Sequence, residues 1–304
     1  MTSTAGEHRQ RKLGVWRVRN DRVIDLRRPV LIGIVNATPD SFSDGGSFRC
    51  VDALIGHSLR LIEEGATIID VGGESTRPGA VRVDADEQIR RTAALIGRLR
   101  ATTDIPISID TTLAAVAAAA LDAGADIIND VAAGLEDDEM VPLAAERGAG
   151  MILMHRLRPP TADSFSHEYK KEPEYLDVVS AVAAFLRERA GAVEAAGIDR
   201  ARIALDPGLG FGKSVHQNYE LIARAAELVG LGYPVVSGAS RKSFLGAVTG
   251  VAEPHRRIIA STAVSVAHYL AGVRLFRVHD VAAHREALAV AQAITAAQGE
   301  QAPA

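Results

Sequence analysis

From residue 30 onward, one pattern of hydrophobic and polar positions repeats along the chain. A stretch with helical spacing ends in Gly or Gly-Ala, and a short apolar run follows that stops at a polar residue. Instances are Gly65-Ala66-Thr67-Ile68-Ile69-Asp70, Gly124-Ala125-Asp126-Ile127-Ile128-Asn129-Asp130, Gly148-Ala149-Gly150-Met151-Ile152-Leu153-Met154 and Gly272-Val273-Arg274-Leu275-Phe276-Arg277. Gly directly after a helix predicts the left-handed conformation that ends it. Continuous apolar runs set between helices predict parallel strands inside a helical coat.

Counted this way, the strands fall at 30–35, 68–71, 105–109, 127–129, 151–154, 203–205, 235–238 and 275–278. Helices are expected from near Val51, Asp84, Leu113, Asp138, Leu176, Gln217, Arg256 and Val281. Eight strands alternating with eight helices predict an α/β fold, a closed (β/α)8 TIM barrel, over an open doubly wound sheet. Upstream, residues 15–19 and 22–26 alternate apolar with polar around Asn20-Asp21. That is the pattern of an N-terminal β-hairpin placed to cover one end of the barrel. The connection 156–174 is polar, contains Pro159-Pro160 and Pro173, and is long enough to be functional. No linker or low-complexity stretch divides the chain. The expectation is one domain over 13–298, with a frayed polar tail at 1–12 and a short tail at 299–304.

The 304 residues are 47% hydrophobic and 24% charged, ample for a large core. A net charge of −4 and the lack of a long basic run leave nucleic-acid binding without electrostatic support. A single cysteine, Cys50, excludes an intrachain disulfide. No apolar run approaches the roughly 18 residues of a membrane-spanning helix. The polar first dozen residues lack the apolar centre of a secretory signal. A cytoplasmic protein without a membrane or nucleic-acid partner is expected.

The chemistry gathers at the predicted strand ends. The first strand stops at Asn36, and a Pro-, Ser- and Gly-rich loop carrying Asp40, Phe42 and Asp44 follows. Other strand ends carry Asp70, Asp110, Asn129, Asp130, His155, Asp206, Lys242, Arg277 and His279. In a TIM barrel these converge on one face. Asp110, Asn129, Asp206 and Lys242 mix acceptors with donors. They suit the hydrogen-bonding edge of a flat, nitrogen-rich heterocycle, or an Asp–Lys ion pair that merely closes the barrel top. Arg277 and His279 share a face of the last strand, beside Gly238 and Ser240-Arg241-Lys242. Barrels commonly bind phosphate there; a surface Arg with a satisfied His is the plain alternative.

Asp206-Pro207-Gly208-Leu209-Gly210-Phe211-Gly212-Lys213 resembles a phosphate loop but lacks Walker A spacing. It reads instead as a side-chain-poor turn that lets Asp206 and Phe211 approach a ligand. A second Gly-rich loop, 72–79, is either an ordinary turn or a flap that brings Arg77 to an anionic substrate. There is no Cys/His cluster of zinc spacing and no Gly-x-Ser-x-Gly elbow. Oxygen donors at the first loop suit Mg²⁺ held mostly by substrate phosphates.

Seven segments occur in one order across about residues 30 to 280. They are Asn36-Ala-Thr-Pro-Asp-Ser-Phe-Ser-Asp-Gly-Gly46, Gly73-Glu-Ser-Thr-Arg-Pro-Gly79, Ser108-Ile-Asp-Thr111, Asn129-Asp130, Asp206-Pro-Gly-Leu-Gly-Phe-Gly-Lys213, Ser240-Arg-Lys242 and Arg277-Val-His-Asp280. Together they resemble dihydropteroate synthase. The resemblance implies a folate-pathway transferase that joins 4-aminobenzoate to 6-hydroxymethyl-7,8-dihydropterin diphosphate and releases diphosphate. By motif position it implies that Asp110, Asn129, Asp206, Gly238 and Lys242 hold the pterin. It implies that Asn36, Arg277 and His279 hold the diphosphate, with Asn36 on Mg²⁺. Asp40, Phe42, Asp44, Thr76, Arg77, Pro78, Phe211 and Ser243, with Lys242, would form the aminobenzoate site. Catalysis would fall to Asp110, Asp206, Lys242, Arg277 and His279. The family also implies a homodimer and a target of sulfonamide drugs.

The chain departs from the family pattern after Met154-His155, where Arg156-Leu157-Arg158-Pro159-Pro160 replaces the usual Met-Gln-Gly. Contacts of that loop do not carry over. Ser243 stands where many relatives have Arg. A pterin-dependent methyltransferase shares fold and pocket but has no use for the Arg277/His279 site. A silent pterin-binding paralogue would be free to lose the first two loops, and here both are intact.

Overall fold

The computed structural model describes residues 14–37 and 48–300. Strands β1 (Val15–Arg17) and β2 (Val23–Asp25) pair antiparallel, with Trp16 opposite Ile24. The hairpin is shorter than its alternation predicts, because Arg19–Asp21 forms a 3-10 turn with Asn20 and Asp21 at positive φ. Eight more strands follow: β3 (Val30–Asn36), β4 (Ile68–Gly72), β5 (Ile107–Asp110), β6 (Ile127–Asp130), β7 (Gly150–Met154), β8 (Ile203–Asp206), β9 (Val236–Ser237) and β10 (Leu275–Val278). They run parallel in the order β8-β7-β6-β5-β4-β3-β10-β9. A parallel bridge from Leu205 to Val235 joins the two edges, so the sheet closes into a TIM barrel.

The apolar runs mark these strands to within a residue or two. The largest shift is at 105–109, which begins pairing only at Ile107, after Pro106, whose ring removes a ladder donor. Gly65, Gly124, Gly148 and Gly272, which end the repeated phrases, all have positive φ. The outer helices are Phe48–Glu64, Ala85–Arg100, Ala114–Asp122, Met140–Arg147, Val178–Ala195, Val215–Ala223, Ile258–Leu270 and Val281–Glu300. Asp84, Asp177 and Ser214 cap three of them through their side-chain oxygens. Two short helices, Ala225–Val229 and Ser243–Thr249, were not expected. The second starts directly after Lys242, well ahead of the helix expected near Arg256. The predicted tail at 1–12, residues 301–304 of the tail expected at 299–304, and the loop with Asp40, Phe42 and Asp44 lie outside the described residues; residues 299 and 300 continue the last helix instead of starting that tail.

Strand pleating divides the core in two. Outward residues such as Leu31, Ile69, Ile128, Leu153 and Phe276 pack against the helices. Inward residues Val30, Ile32, Ile68, Ile127, Ile152, Ala204, Val236 and Leu275 form one apolar layer at the N-terminal end of the barrel. Trp16, Val18, Ile24 and Leu26 of the hairpin seal that layer from below. Trp16 is fully buried, and its indole Nε1 donates to the Arg202 carbonyl at 3.0 Å. The hairpin therefore works as the stopper that the sequence pattern predicts.

Trp16→Ala removes the largest side chain of the plug and leaves a cavity under the barrel. It is expected to lower unfolding free energy by about 3–5 kcal/mol, read from denaturant titration. A loss under about 1 kcal/mol would show that the hairpin does not bear on the core.

Candidate active site

Two residues beyond each inner apolar position, the pleat returns the next side chain to the barrel interior one layer higher. In β4 that step runs from Ile68 to Asp70, in β6 from Ile127 to Asn129, and in β8 from Ala204 to Asp206. In β9 and β10 it runs from Val236 to Gly238 and from Leu275 to Arg277. The interior thus changes from apolar to polar toward the strands' C-terminal ends. That is the end where TIM barrels carry their sites.

Arg277 organises this upper layer. Its Nε donates to Asp70 Oδ2 and its Nη2 to Asp110 Oδ2, both at 2.7 Å. A guanidinium has five N–H donors, and these bonds use two of them. Asn129 Nδ2 reaches the Asp70 carboxylate at 3.4 Å. Asp110 Oδ1 is buried and accepts no hydrogen bond from the described residues. Burial pushes the Asp110 carboxyl up to about 7; Arg277 opposes the rise, while Asp70 and Asp130 add to it. Asp206 is also raised by burial, against the pull of the Gly208 amide, which donates to its Oδ1 at 2.7 Å, and of Lys242 and Arg277. Gly238 leaves the room this needs, since a Cβ there would stand 3.3 Å from Asp206 Oδ2.

Lys242 Nζ lies 3.9 Å from the centre of the Phe211 ring, a cation–π contact. Burial, and then the charge of Arg277, bring its ammonium down to about 8. No Asp–Lys ion pair closes the barrel top among the described residues, so that alternative is not what the structure contains. Phe211 packs with Val131 and Met154 as an apolar wall. His279 Nδ1 is 3.0 Å from Ser240 Oγ, which also accepts the His279 backbone amide at 3.2 Å. A Ser240 hydroxyl that donates to Nδ1 leaves the imidazole proton on Nε2. Burial drives His279 down to about 3, and Arg241, Arg277, Lys242 and Arg77 all push the same way. The ring is neutral at ordinary pH and sits in a field of cations.

The second loop is tied down at several points. Gly79 N donates to Pro160 O at 2.9 Å, and Val83 N to Glu74 Oε2 at 2.8 Å. Arg82 pairs with Glu74 at 3.4 Å and with Glu136, which in turn holds Arg156. Thr76 lines a cleft with Asp110, Thr111, Val131, Arg156 and Pro160. Arg77 is exposed, and Pro78 follows it in the same loop. Asn36 ends β3 in register with Gly72, and Ser243 opens the helix after Lys242.

Two of the strand-end residues do not join the site. Asp130 faces away because Asn129 before it faces in; its carboxylate accepts Ala132 N and Gly134 N at 2.7 and 2.6 Å and folds its own turn. His155 follows the inward Met154 and turns to Lys213. Two residues gained importance that sequence alone did not assign. The sequence places Asp70 at a strand end but does not show its bond to Arg277. It shows Lys213 only as the lysine that closes a glycine turn without Walker A spacing. Asp70 could have been found by its two-residue step from Ile68.

Comparison with known proteins gives the family of this barrel. The family described as pterin binding enzyme matches residues 32–279. A dihydropteroate synthase of Streptococcus pyogenes serotype M3 is 45% identical over 261 residues, covering 86% of this chain and 93% of that protein. A probable bifunctional folylpolyglutamate synthase/dihydropteroate synthase of Haloferax volcanii is 46% identical over 263 residues, 86% of this chain and 30% of that protein. The Xanthomonas albilineans dihydropteroate synthase solved with 4-aminobenzoic acid superposes with a TM-score of 0.83 at 44% identity, over 92% of this chain and 99% of that one. With the barrel, the motif order and these likenesses in agreement, the chain belongs to the dihydropteroate synthase family, transferases of folate biosynthesis.

Proposed function

We propose that this mouth joins 6-hydroxymethyl-7,8-dihydropterin diphosphate to 4-aminobenzoate, with the residue roles that the motifs imply. One observation carries the reading. A single guanidinium, Arg277, bonds the acidic recess at Asp110 and also belongs to the cation group around His279. A ligand with an electron-poor ring at one end and a polyanion at the other matches that division. The pterin edge would meet Asp110, Asn129, Asp206 and Lys242, with Gly238 leaving space. The diphosphate would meet Asn36, Arg277 and the Nε2–H of His279. Aminobenzoate would enter between Phe211, Lys242 and Ser243 and the loops carrying Asp40, Phe42, Asp44, Thr76, Arg77 and Pro78.

In the proposed reaction the C–O bond to diphosphate breaks first, and the electron pair leaves with the diphosphate. The exocyclic methylene is left cationic and delocalised into the ring. Asp110 and Asp206 favour that positive charge, and Arg277 and His279 favour the departing negative charge. Fixed charges aimed at developing charge are usually the largest catalytic contribution. The amine of aminobenzoate then forms the C–N bond and loses its proton to solvent. Among the described residues, no group of three or more His, Cys, Asp or Glu is placed to cage a metal. A single oxygen donor such as Asn36 still fits Mg²⁺ that arrives with the diphosphate, because Mg²⁺ keeps few protein ligands. When bound, the ion would neutralise charge on the leaving group.

We further propose one pterin-binding domain over 13–298, a cytoplasmic location and a homodimer. No described helix is long and apolar enough to cross a membrane. Helix Ile258–Leu270 carries no Lys, Arg, Asp or Glu, and it exposes Ile259, Ala263, Ala267 and Leu270. The neighbouring helix Val281–Glu300 exposes Val290, Ala293 and Ile294. Ile259 is 84% exposed and Val290 61%. A continuous apolar face of this kind suits a second copy of the chain.

Mixing the protein with both substrates and Mg²⁺ is expected to yield dihydropteroate and diphosphate in equal amounts. Arg277→Ala should reduce turnover by about a hundredfold or more; near-normal turnover would remove Arg277 from the reaction. A second expectation concerns pH. A pterin N–H that donates to Asp110 Oδ1 favours the carboxylate, so binding displaces a proton from a group near 7. Pterin affinity should therefore tighten by about tenfold from pH 6 to pH 8, and calorimetry on Asp110→Asn should find that slope gone. An equal slope in the variant would assign the titration elsewhere. Sedimentation should show a dimer, and Ile259→Glu should shift it toward monomer. A wild-type monomer at every concentration would sink the dimer.

A further inference from the structure

Lys213 has no part in the reading above, yet its surroundings are unusual. Its side chain is fully buried. No carboxylate lies within ion-pairing distance among the described residues. Its Nζ donates instead to the carbonyls of Gly208 and Phe211, at 2.9 and 2.8 Å, and approaches the His155 carbonyl at 3.4 Å. The fourth neighbour is His155 Nδ1 at 3.0 Å. Burial holds that imidazole down to about 3, so the ring is neutral and Nδ1 can accept.

These acceptors belong to one turn and one strand end. Gly208, Gly210 and Gly212 all have positive φ, and at Gly208 a Cβ would stand 1.9 Å from the His155 carbonyl oxygen. The turn is pressed against the end of β7 so closely that only glycine fits. Other bonds hold its flanks: Gly210 N donates to Asn218 Oδ1 at 2.7 Å and Gly212 N to Asp163 Oδ2 at 2.8 Å. His155 is itself fixed, edge-on to Phe185 at 4.9 Å on helix Val178–Ala195. A buried ammonium without a counter-ion is expensive to keep, and Leu or Met would fill the same volume. What the ammonium adds is several directed bonds converging on the turn that presents Phe211. The Phe211 ring in turn lies 3.9 Å from Lys242 Nζ.

We propose that Lys213 is a positioning residue for the second substrate. From inside the turn it holds the Gly208 and Phe211 carbonyls against His155, and so sets the Phe211 ring beneath Lys242 where aminobenzoate enters. The proposal rests on the assignment of Phe211 to the aminobenzoate site. Lys213 touches neither substrate; its effect passes through the ring of Phe211.

The test is a double-mutant cycle on the full chain, with wild type, Lys213→Met, Phe211→Ala and the double variant. KM for 4-aminobenzoate and kcat are measured at saturating pterin diphosphate and Mg²⁺. Lys213→Met is expected to raise KM for 4-aminobenzoate by about tenfold or more, with kcat within about threefold. Binding of the pterin diphosphate alone, by calorimetry, should change by less than about threefold. In the Phe211→Ala background the same substitution should move KM by less than about threefold, because the ring it positions is gone. Equal effects in both backgrounds, or a loss of pterin binding as large as the rise in KM, would overturn the proposal. If Lys213→Met does not fold, Lys213→Gln, which keeps one donating amide, takes its place in the cycle. If neither folds, Lys213 is a core residue only and the proposal fails. A wild type that makes no dihydropteroate refutes the functional reading itself. A wild type that is active while the cycle is additive refutes the role of Lys213 alone.

Discussion

The bonds from Arg277 to Asp70 and Asp110 join three strands across the barrel mouth. They link β10 to β4 and β5, with β3 lying between. Buried charges are tolerated only with close partners and good geometry, and removing one partner commonly costs about 3–5 kcal/mol. The remaining polar groups take their state from this triad. Asn129 leans on Asp70. Asp110 is held partly ionisable near neutrality by the contest between burial and the guanidinium. His279 is kept neutral in part by the same cation. The triad is therefore both a clasp for the upper barrel and the hinge between an acidic recess and a cationic one.

Three cations share this end of the barrel, Lys213 fully buried and Arg277 and Lys242 half-buried, and each is satisfied differently. Arg277 has two carboxylates, Lys242 an aromatic face, and Lys213 backbone carbonyls with a neutral imidazole. The difference shows in their protonation. Carboxylates keep the guanidinium charged despite burial. A ring and carbonyls offer less, so burial brings Lys242 down to about 8 and Lys213 to about 7. Lys242 is thus placed to meet a ligand, while Lys213 is spent on holding the wall that faces it.

Stability and chemistry are separated along the barrel axis. The lower layer is apolar and closed by Trp16, whereas the upper layer is polar and lined by strand ends. One pleat serves both, since a step of two residues converts a core position into a site position. Loops add the rest. The chain from Glu74 through Arg82 and Glu136 to Arg156 fastens the second loop to the long connection 156–174. The same connection holds the second loop through Pro160 and the glycine turn through Asp163, so the ion chain is one of several ties it supplies.

The barrel, the hairpin stopper, the glycine helix ends and which residues stand at the strand ends are legible in the order of residues alone. Those features follow from local rules: a period of two in strands, left-handed glycine at helix ends, and motif order. Tertiary structure alone decided who pairs with whom. Arg277 and its partners stand 207 and 167 residues apart, a separation no periodicity reports. Strand parity likewise turned Asp130 and His155 out of the site, although their neighbours Asn129 and Met154 point in. The turn at 206–213 was legible as a glycine turn, but not that Lys213 would fold back into it. A lysine's burial depends on carbonyls brought near by distant chain, and only the closed barrel brings them there.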